Sequence, residues 1–264
     1  MRYLVFIFCG LISLAVTGQS TIQPSQNKGP GMASYTFKVA YTDTYVFRGH
    51  VFENDNTAIG EAGVGIGKWS YNLWYAEPQN NTLGILESEF NHSISYTTLT
   101  RGRVTTVGYQ IYKYKGMLED TQEFFTRIRH LTKWQPTYGL YYDIDTYKGY
   151  YLDFAFSRDM PLSRKSNLHF RLKGGLAYDM EPKTRDVLGP GGPVEEVVEE
   201  GFFGDDGFTS GSFQVKYTWA PLDWLSMEAG GEYHYAFDDF LFANNPALER
   251  DTTLWKAGLT VRFP

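Results

Sequence analysis

Tyr35-Thr36-Phe37-Lys38-Val39-Ala40-Tyr41-Thr42 decides the fold, because apolar and polar side chains alternate through it without a break. A strand sends successive side chains to opposite faces. Tyr35, Phe37, Val39 and Tyr41 therefore share one surface, and Thr36, Lys38, Ala40 and Thr42 the other. Tyr45 and Phe47 extend the apolar row and Thr44 the polar one, with Asp43 the exception, which predicts a strand over 35–48. The period returns at Leu168, Phe170, Leu172, Leu176 and Tyr178, opposite His169, Arg171, Lys173, Gly175 and Ala177. It returns again at Phe213, Val215, Tyr217 and Trp219, opposite Ser212, Gln214, Lys216 and Thr218. Two faces of different polarity need two different surroundings.

Outward from these stretches, the pattern predicts about 12 strands, over 35–48, 58–67, 70–77, 85–97, 103–114, 122–133, 136–143, 149–157, 167–178, 209–219, 223–235 and 252–263. Their connections alternate in length. Lys68-Trp69, Thr98 to Gly102, Trp134-Gln135, Arg158 to Ser166 and Ala220 to Leu222 are short, whereas Asp179 to Phe208 and Ala236 to Asp251 are long. Outer-membrane barrels have that asymmetry, with short periplasmic turns and long external loops. Trp69, Trp134, Trp219 and Trp224 fall at the short turns, and Trp74 and Trp255 near the opposite strand ends, as in an interfacial aromatic belt. The expected fold is an all-β, antiparallel, up-and-down transmembrane β-barrel over 35–264. A soluble β-sandwich, which also alternates, is the competing architecture.

The ends of the chain fit export. Met1-Arg2 followed by the uncharged apolar stretch Tyr3 to Val16, with small residues at Gly18 and Ser20, predicts a signal peptide over 1–20. Residues 21–34, rich in Gly, Pro and polar side chains, predict a flexible leader. At the other end, Lys256 to Phe263 places a polar residue, a Gly, an apolar residue and a near-terminal aromatic at the spacing that barrel-assembly machinery reads on last strands. Pro264 after the aromatic departs from the commonest ending.

Composition removes several function classes. The single cysteine, Cys9, lies inside the signal segment, which excludes a disulfide scaffold, a cysteine zinc site and a thiol nucleophile from the exported chain. A net charge of -6 is a poor match to nucleic acid. Aromatic residues make up 17% of a chain whose mean hydropathy is negative, and alternating membrane strands reconcile the two.

Thr44-Tyr45-Val46-Phe47-Arg48-Gly49 resembles the opening motif of the TorF-like porin family, and Pro136 to Phe156 (PTYGLYYDIDTYKGYYLDFAF) is similar to a recurrent stretch of such exported barrels. Thr57-Ala58 stand where that pattern has Pro and Gln. The resemblance implies a barrel in the outer membrane and no catalytic residue.

With the polar face inward, the lumen-lining candidates are Lys38 on the first strand, Glu61 on the second, Glu87 and Glu89 on the fourth, and Arg127 and Arg129 on the sixth. Asp153, Arg171, Lys173, Lys216, Glu228, Glu232 and Lys256 continue the set on strands eight to twelve. The wall changes sign sector by sector, with a total near neutral. Such charges either line a narrow pore or pair to hold the barrel closed.

An enzyme is not expected. His92 and Ser93 are adjacent and point to opposite faces, His130 and Thr132 sit beside a short turn, and His169 and His234 point inward without an evident serine. The acidic loop with Glu195, Glu196, Glu199, Glu200, Asp205 and Asp206 fits no calcium-loop spacing, and no cofactor is expected. Asp143 and Asp145 suit a turn. The expected activity is passive passage of small polar solutes across the outer membrane of a Gram-negative cell, with membrane lipid and the assembly machinery as partners. The alternative is a non-conducting barrel that acts through its acidic external loops.

Overall fold

The computed structural model describes residues 33–80, 86–188, 194–199, 201–245 and 247–263, with the backbone alone in 183–199. The expected signal peptide, and the leader up to residue 32, lie outside the described residues.

β1 (Ala33–Thr42) leads into a small hairpin, β2 (Tyr45–Phe47) and β3 (His50–Glu53). β4 (Thr57–Ile66), β5 (Trp69–Pro78), β6 (Leu86–Thr100), β7 (Arg103–Gly116) and β8 (Thr121–His130) follow. β9 (Thr137–Asp143), β10 (Tyr150–Pro161) and β11 (Ser166–Tyr178) precede a second hairpin, β12 (Lys183–Leu188) and β13 (Val194–Glu199). Next come β14 (Gly207–Leu222), β15 (Leu225–Ala236), the five-residue helix α1 (Asp239–Ala243) and β16 (Asp251–Phe263).

All of the strands except the two hairpins form one closed antiparallel barrel of 12. Each wall strand pairs with its sequence neighbour along the wall. The seam joins β1 to β16, from Tyr35 opposite Phe263 to Thr42 opposite Lys256. Closure leaves no sheet edge, the condition for crossing a bilayer with strands. The apolar rows face outward, not onto a second sheet, which removes the sandwich. Phe37, Leu172, Phe213 and Tyr217 are exposed large hydrophobics, in a band too extensive for a soluble monomer's surface. Their neighbours Lys38, Ser212 and Thr36 are buried inside.

Short turns at 67–68, 101–102, 131–136, 162–165 and 223–224 share one end of the barrel with both termini of the wall. The longer connections share the other end. Trp69, Trp134, Trp219 and Trp224 are exposed at the turn end. Trp255 and the stacked pair Tyr142–Tyr150, with centroids 4.6 Å apart, belt the loop end. Trp74 departs from the sequence expectation. Parity gives the outer face of β5 to Trp69, Tyr71 and Tyr75, and turns Trp74 into the lumen.

The first strand also differs from expectation, ending at Thr42 and not at residue 48. The Asp43 carboxylate accepts from the Trp255 N–H at 2.8 Å, and the Thr42 hydroxyl donates to the Thr44 carbonyl at 2.6 Å. These bonds turn the chain off the wall. Tyr45 and Phe47, read from the sequence as outward-facing, enter the barrel with the hairpin.

Candidate functional site

The β2–β3 hairpin forms a sheet of its own, paired only with itself. Its turn is Arg48-Gly49, with φ of +52° and +97°, the positive values of a two-residue hairpin loop. Only glycine fits at the second position. A Cβ there would stand 2.6 Å from Cβ of Ser210 on the wall and 2.9 Å from Leu241 of α1.

Rings hold the hairpin in the loop half of the barrel. Tyr45 and Phe52 are buried against Trp74, Tyr141, Tyr151, Phe202, Phe203 and Leu241. Tyr45 lies 5.8 Å from Trp74 between ring centroids, and Phe47 lies 5.7 Å from Tyr112. Burying each such side chain stabilises by about 1.5–3 kcal/mol. On the other side Val46 and Val51 pack on Leu254 of β16.

Polar contacts fix the register. The Tyr45 hydroxyl donates to Glu89 at 2.7 Å, and the Ser210 hydroxyl donates to the Arg48 carbonyl at 3.3 Å. The Arg48 guanidinium pairs with Glu123 at 2.6 Å and lies over the rings of Tyr141 and Tyr151, at 4.9 and 4.5 Å. A carbonyl can only accept, so the His50 contact with the Phe202 carbonyl places a proton on Nε2. Burial holds the His50 imidazole down at about 4, the Phe202 carbonyl opposing that shift, so the ring is neutral at pH 7.

Below the hairpin tip the lumen opens into a polar cavity of about 370 Å³ that reaches Gln135 at the turn end. Of the sequence-predicted residues, Lys38, Arg127, Arg129, Asp153, Arg171, Lys173, Lys216, Glu228, Glu232 and Lys256 line it. Glu61 is buried on the inner face of β4, opposite Lys38 in the ladder. Glu89 lies among the plug rings, accepting also from Asn91 at 2.5 Å. Glu87 is displaced. A bulge between Leu86 and Ser88 turns it to the outside, where it pairs with Lys115. Arg48, His169 and His234 also line the cavity and were not among the candidates. Arg48 falls inside the strand that the sequence predicts over 35–48, and the two histidines, which the pattern turns inward, carry no charge at pH 7 by which the sequence marks the other lumen candidates.

Two sectors of the cavity wall differ. On β1, β14, β15 and β16 the charges answer one another: Glu228 holds Lys38 at 2.9 Å and Lys216 at 2.7 Å, and Glu232 holds Lys256. Gln214 and His234 also contact Glu232, at 2.8 and 3.0 Å. On β8 to β11, Asp153 lines the cavity 3.5 Å from Lys173, among Arg127, Arg129 and Arg171, and Asp159 stands at its turn end against His169. Arg127 donates to the Tyr141 hydroxyl at 2.6 Å.

Of the histidines considered, His234 stands opposite Ser212 in the β14–β15 ladder and 3.0 Å from Glu232, a serine neighbour that the sequence reading does not give it. His92 faces outward and contacts the Tyr71 hydroxyl at 2.8 Å, while Ser93 takes the opposite face of β6. His169 contacts Asp159 at 2.8 Å near the turn end. Asp143 accepts from the Thr121 hydroxyl at 2.6 Å and from loop amides, a turn-forming role. The side chains Glu195, Glu196, Glu199 and Glu200 lie outside the described residues.

The sequence matches no known protein-family pattern, and no curated relative matches it. Among solved structures, an outer membrane channel from Pseudomonas putida F1 is similar with a TM-score of 0.49 at 8% identity, covering 94% of this chain and 100% of that one. The KdgM porin is similar with a TM-score of 0.49 at 10% identity, covering 88% of this chain and 100% of that one. At these values no residue role is carried over from either.

Proposed function

We propose that this chain is an outer-membrane, porin-like channel for small polar solutes, held shut in this structure by the β2–β3 hairpin. The observation that carries the proposal is a charged cavity inside a lipid-facing barrel, stopped by a segment that makes no ladder with the wall. A permanent core would need no such cavity, and a stopper outside the wall's hydrogen-bond ladder leaves without breaking the barrel. By the asymmetry of turns and loops the cavity opens to the periplasm and the hairpin blocks the external side. Export through a leader over 1–20, insertion through the C-terminal strand and kinship with TorF-like porins belong to the same proposal.

The test is planar-bilayer recording of the refolded protein, with and without replacement of residues 45–53 by a short Gly/Ser linker. The intact chain should open rarely and the replaced one should conduct steadily. A replaced barrel that is folded yet silent would refute a channel. It would favour a non-conducting barrel acting through its external loops, for which the ring-packed seal at the loop end speaks.

A further inference from the structure

The seat that receives Arg48 belongs to the barrel wall, whereas its occupant does not. Tyr112 projects from β7, Glu123 from β8, Tyr141 from β9 and Tyr151 from β10, four neighbouring strands of the wall. All four side chains are buried in the lumen. One Glu123 oxygen accepts from the Arg48 guanidinium and the other from the Tyr112 hydroxyl, both at 2.6 Å. The guanidinium carbon stands over the Tyr151 ring at 4.5 Å and over the Tyr141 ring at 4.9 Å. A carboxylate acceptor and electron-rich ring faces are the features that recognise a guanidinium group.

Arg48 hangs from a hairpin that makes no ladder with the wall. If the hairpin leaves, the seat stays on the wall and loses its cation. Glu123 would then be an enclosed carboxylate beside a neutral hydroxyl, and a buried charge without a counter-charge is strongly disfavoured. Arg127, on the same face of β8, is four residues away, roughly 13 Å at the backbone, and is engaged with the Tyr141 hydroxyl at 2.6 Å. The polar cavity reaches the seat from the turn end, because Arg48, Tyr141 and Tyr151 line it. The four lysines of that cavity are answered: Lys38 and Lys216 by Glu228, Lys256 by Glu232 and Lys173 by Asp153. Exchanging Arg48 for another monovalent cation therefore leaves the charge of the lumen unchanged.

We propose that the Glu123–Tyr141–Tyr151 seat is a binding site for small solutes that carry a guanidinium group, with Arg48 as a resident mimic that such a solute displaces. The site names a solute class for the channel proposed above and rests on that reading for transport, whereas binding to an emptied seat needs no conduction.

Isothermal titration of the Arg48→Asn protein, folded in nonionic detergent, with ethylguanidinium chloride tests the site. Asn-Gly suits a two-residue turn whose central residues have positive φ, and heat-modifiable migration checks that the barrel is closed. Arg48→Gly is the second variant, read in the same way. Ethylguanidinium should bind saturably to the emptied seat. Its affinity should fall by about tenfold or more when Glu123→Gln is added, and by about threefold or more when Tyr151→Leu is added. The native chain, whose own Arg48 fills the seat, should bind far more weakly, and ethylurea, similar in shape but uncharged, should not bind. No saturable binding to either folded variant, unchanged affinity in either double variant, or equal binding by the native chain or of ethylurea would each overturn the proposal. The channel is scored separately, by current through the hairpin-replaced barrel. Ethylguanidinium binding with no current would sink the channel and keep the site. Current without that binding would do the reverse.

Discussion

Glu123 has a side chain only 1% exposed, and it meets both the Arg48 guanidinium and the Tyr112 hydroxyl at 2.6 Å. Removing one partner of a buried pair costs roughly 3–5 kcal/mol, since the other charge is left uncompensated. Here the system has an escape: if the hairpin leaves, Arg48 returns to water. Glu123→Gln keeps the shape and acceptor oxygen but removes the charge, so the expected outcome is a folded barrel with a higher open probability, by tenfold or more on the scale of that penalty. Single-channel recording reads this directly, and an open probability equal to the native one would show that the pair does not hold the stopper. Neither residue's role was legible in the sequence. Glu123 looks like any inward carboxylate on β8, and its partner lies 75 positions away on a segment that alternates like a wall strand.

The hairpin shows where sequence reading stops at the scale of elements. Wall strands announce themselves because lipid on one side and a polar lumen on the other force a period of two. Tyr45 and Phe47 keep the beat, so they read as more wall, although their apolar side chains serve an interior core. Two local signals mark the break: Asp43 in an otherwise apolar row, and Arg48-Gly49 as a two-residue turn. The hairpin also carries a titratable group. Burial among Phe52, Phe202 and Phe203 holds His50 at about 4 in place, against an ordinary value near 6.5 once released. A base with a depressed pKa leaves the seated state at full stability above about 6.5 and weakens it as pH falls toward 4, because only the released form takes up a proton. Lowering pH from 7 to 5 should therefore raise open probability by about tenfold, and His50→Gln should flatten that part of the pH dependence. A conductance unchanged between those two values would show that His50 stays enclosed when the channel opens.

Across the whole molecule the inside–outside assignment is open to a paired test. Phe213 is 47% exposed near the middle of β14, and its neighbour Gln214 lines the cavity. Phe213→Arg should cost about 2–4 kcal/mol of stability in a bilayer, as a cation at midplane does. Gln214→Arg, inside, should cost far less. Urea titration of the folded, heat-modifiable band in liposomes measures both, and equal losses would contradict the lipid-facing band. The closed seam has a further consequence. The hairpin hangs from the end of β1, the strand that β16 must meet last, and its hinge and one flank rest on β16 through Asp43 to Trp255 and Val46 and Val51 to Leu254. Docking of the final strand therefore zips the cylinder and corks it in a single event, like a bottle blown around its own cork. A nascent barrel that has not yet captured its carboxyl end lacks the β16 part of the cork's seat, the Trp255 amide and Leu254.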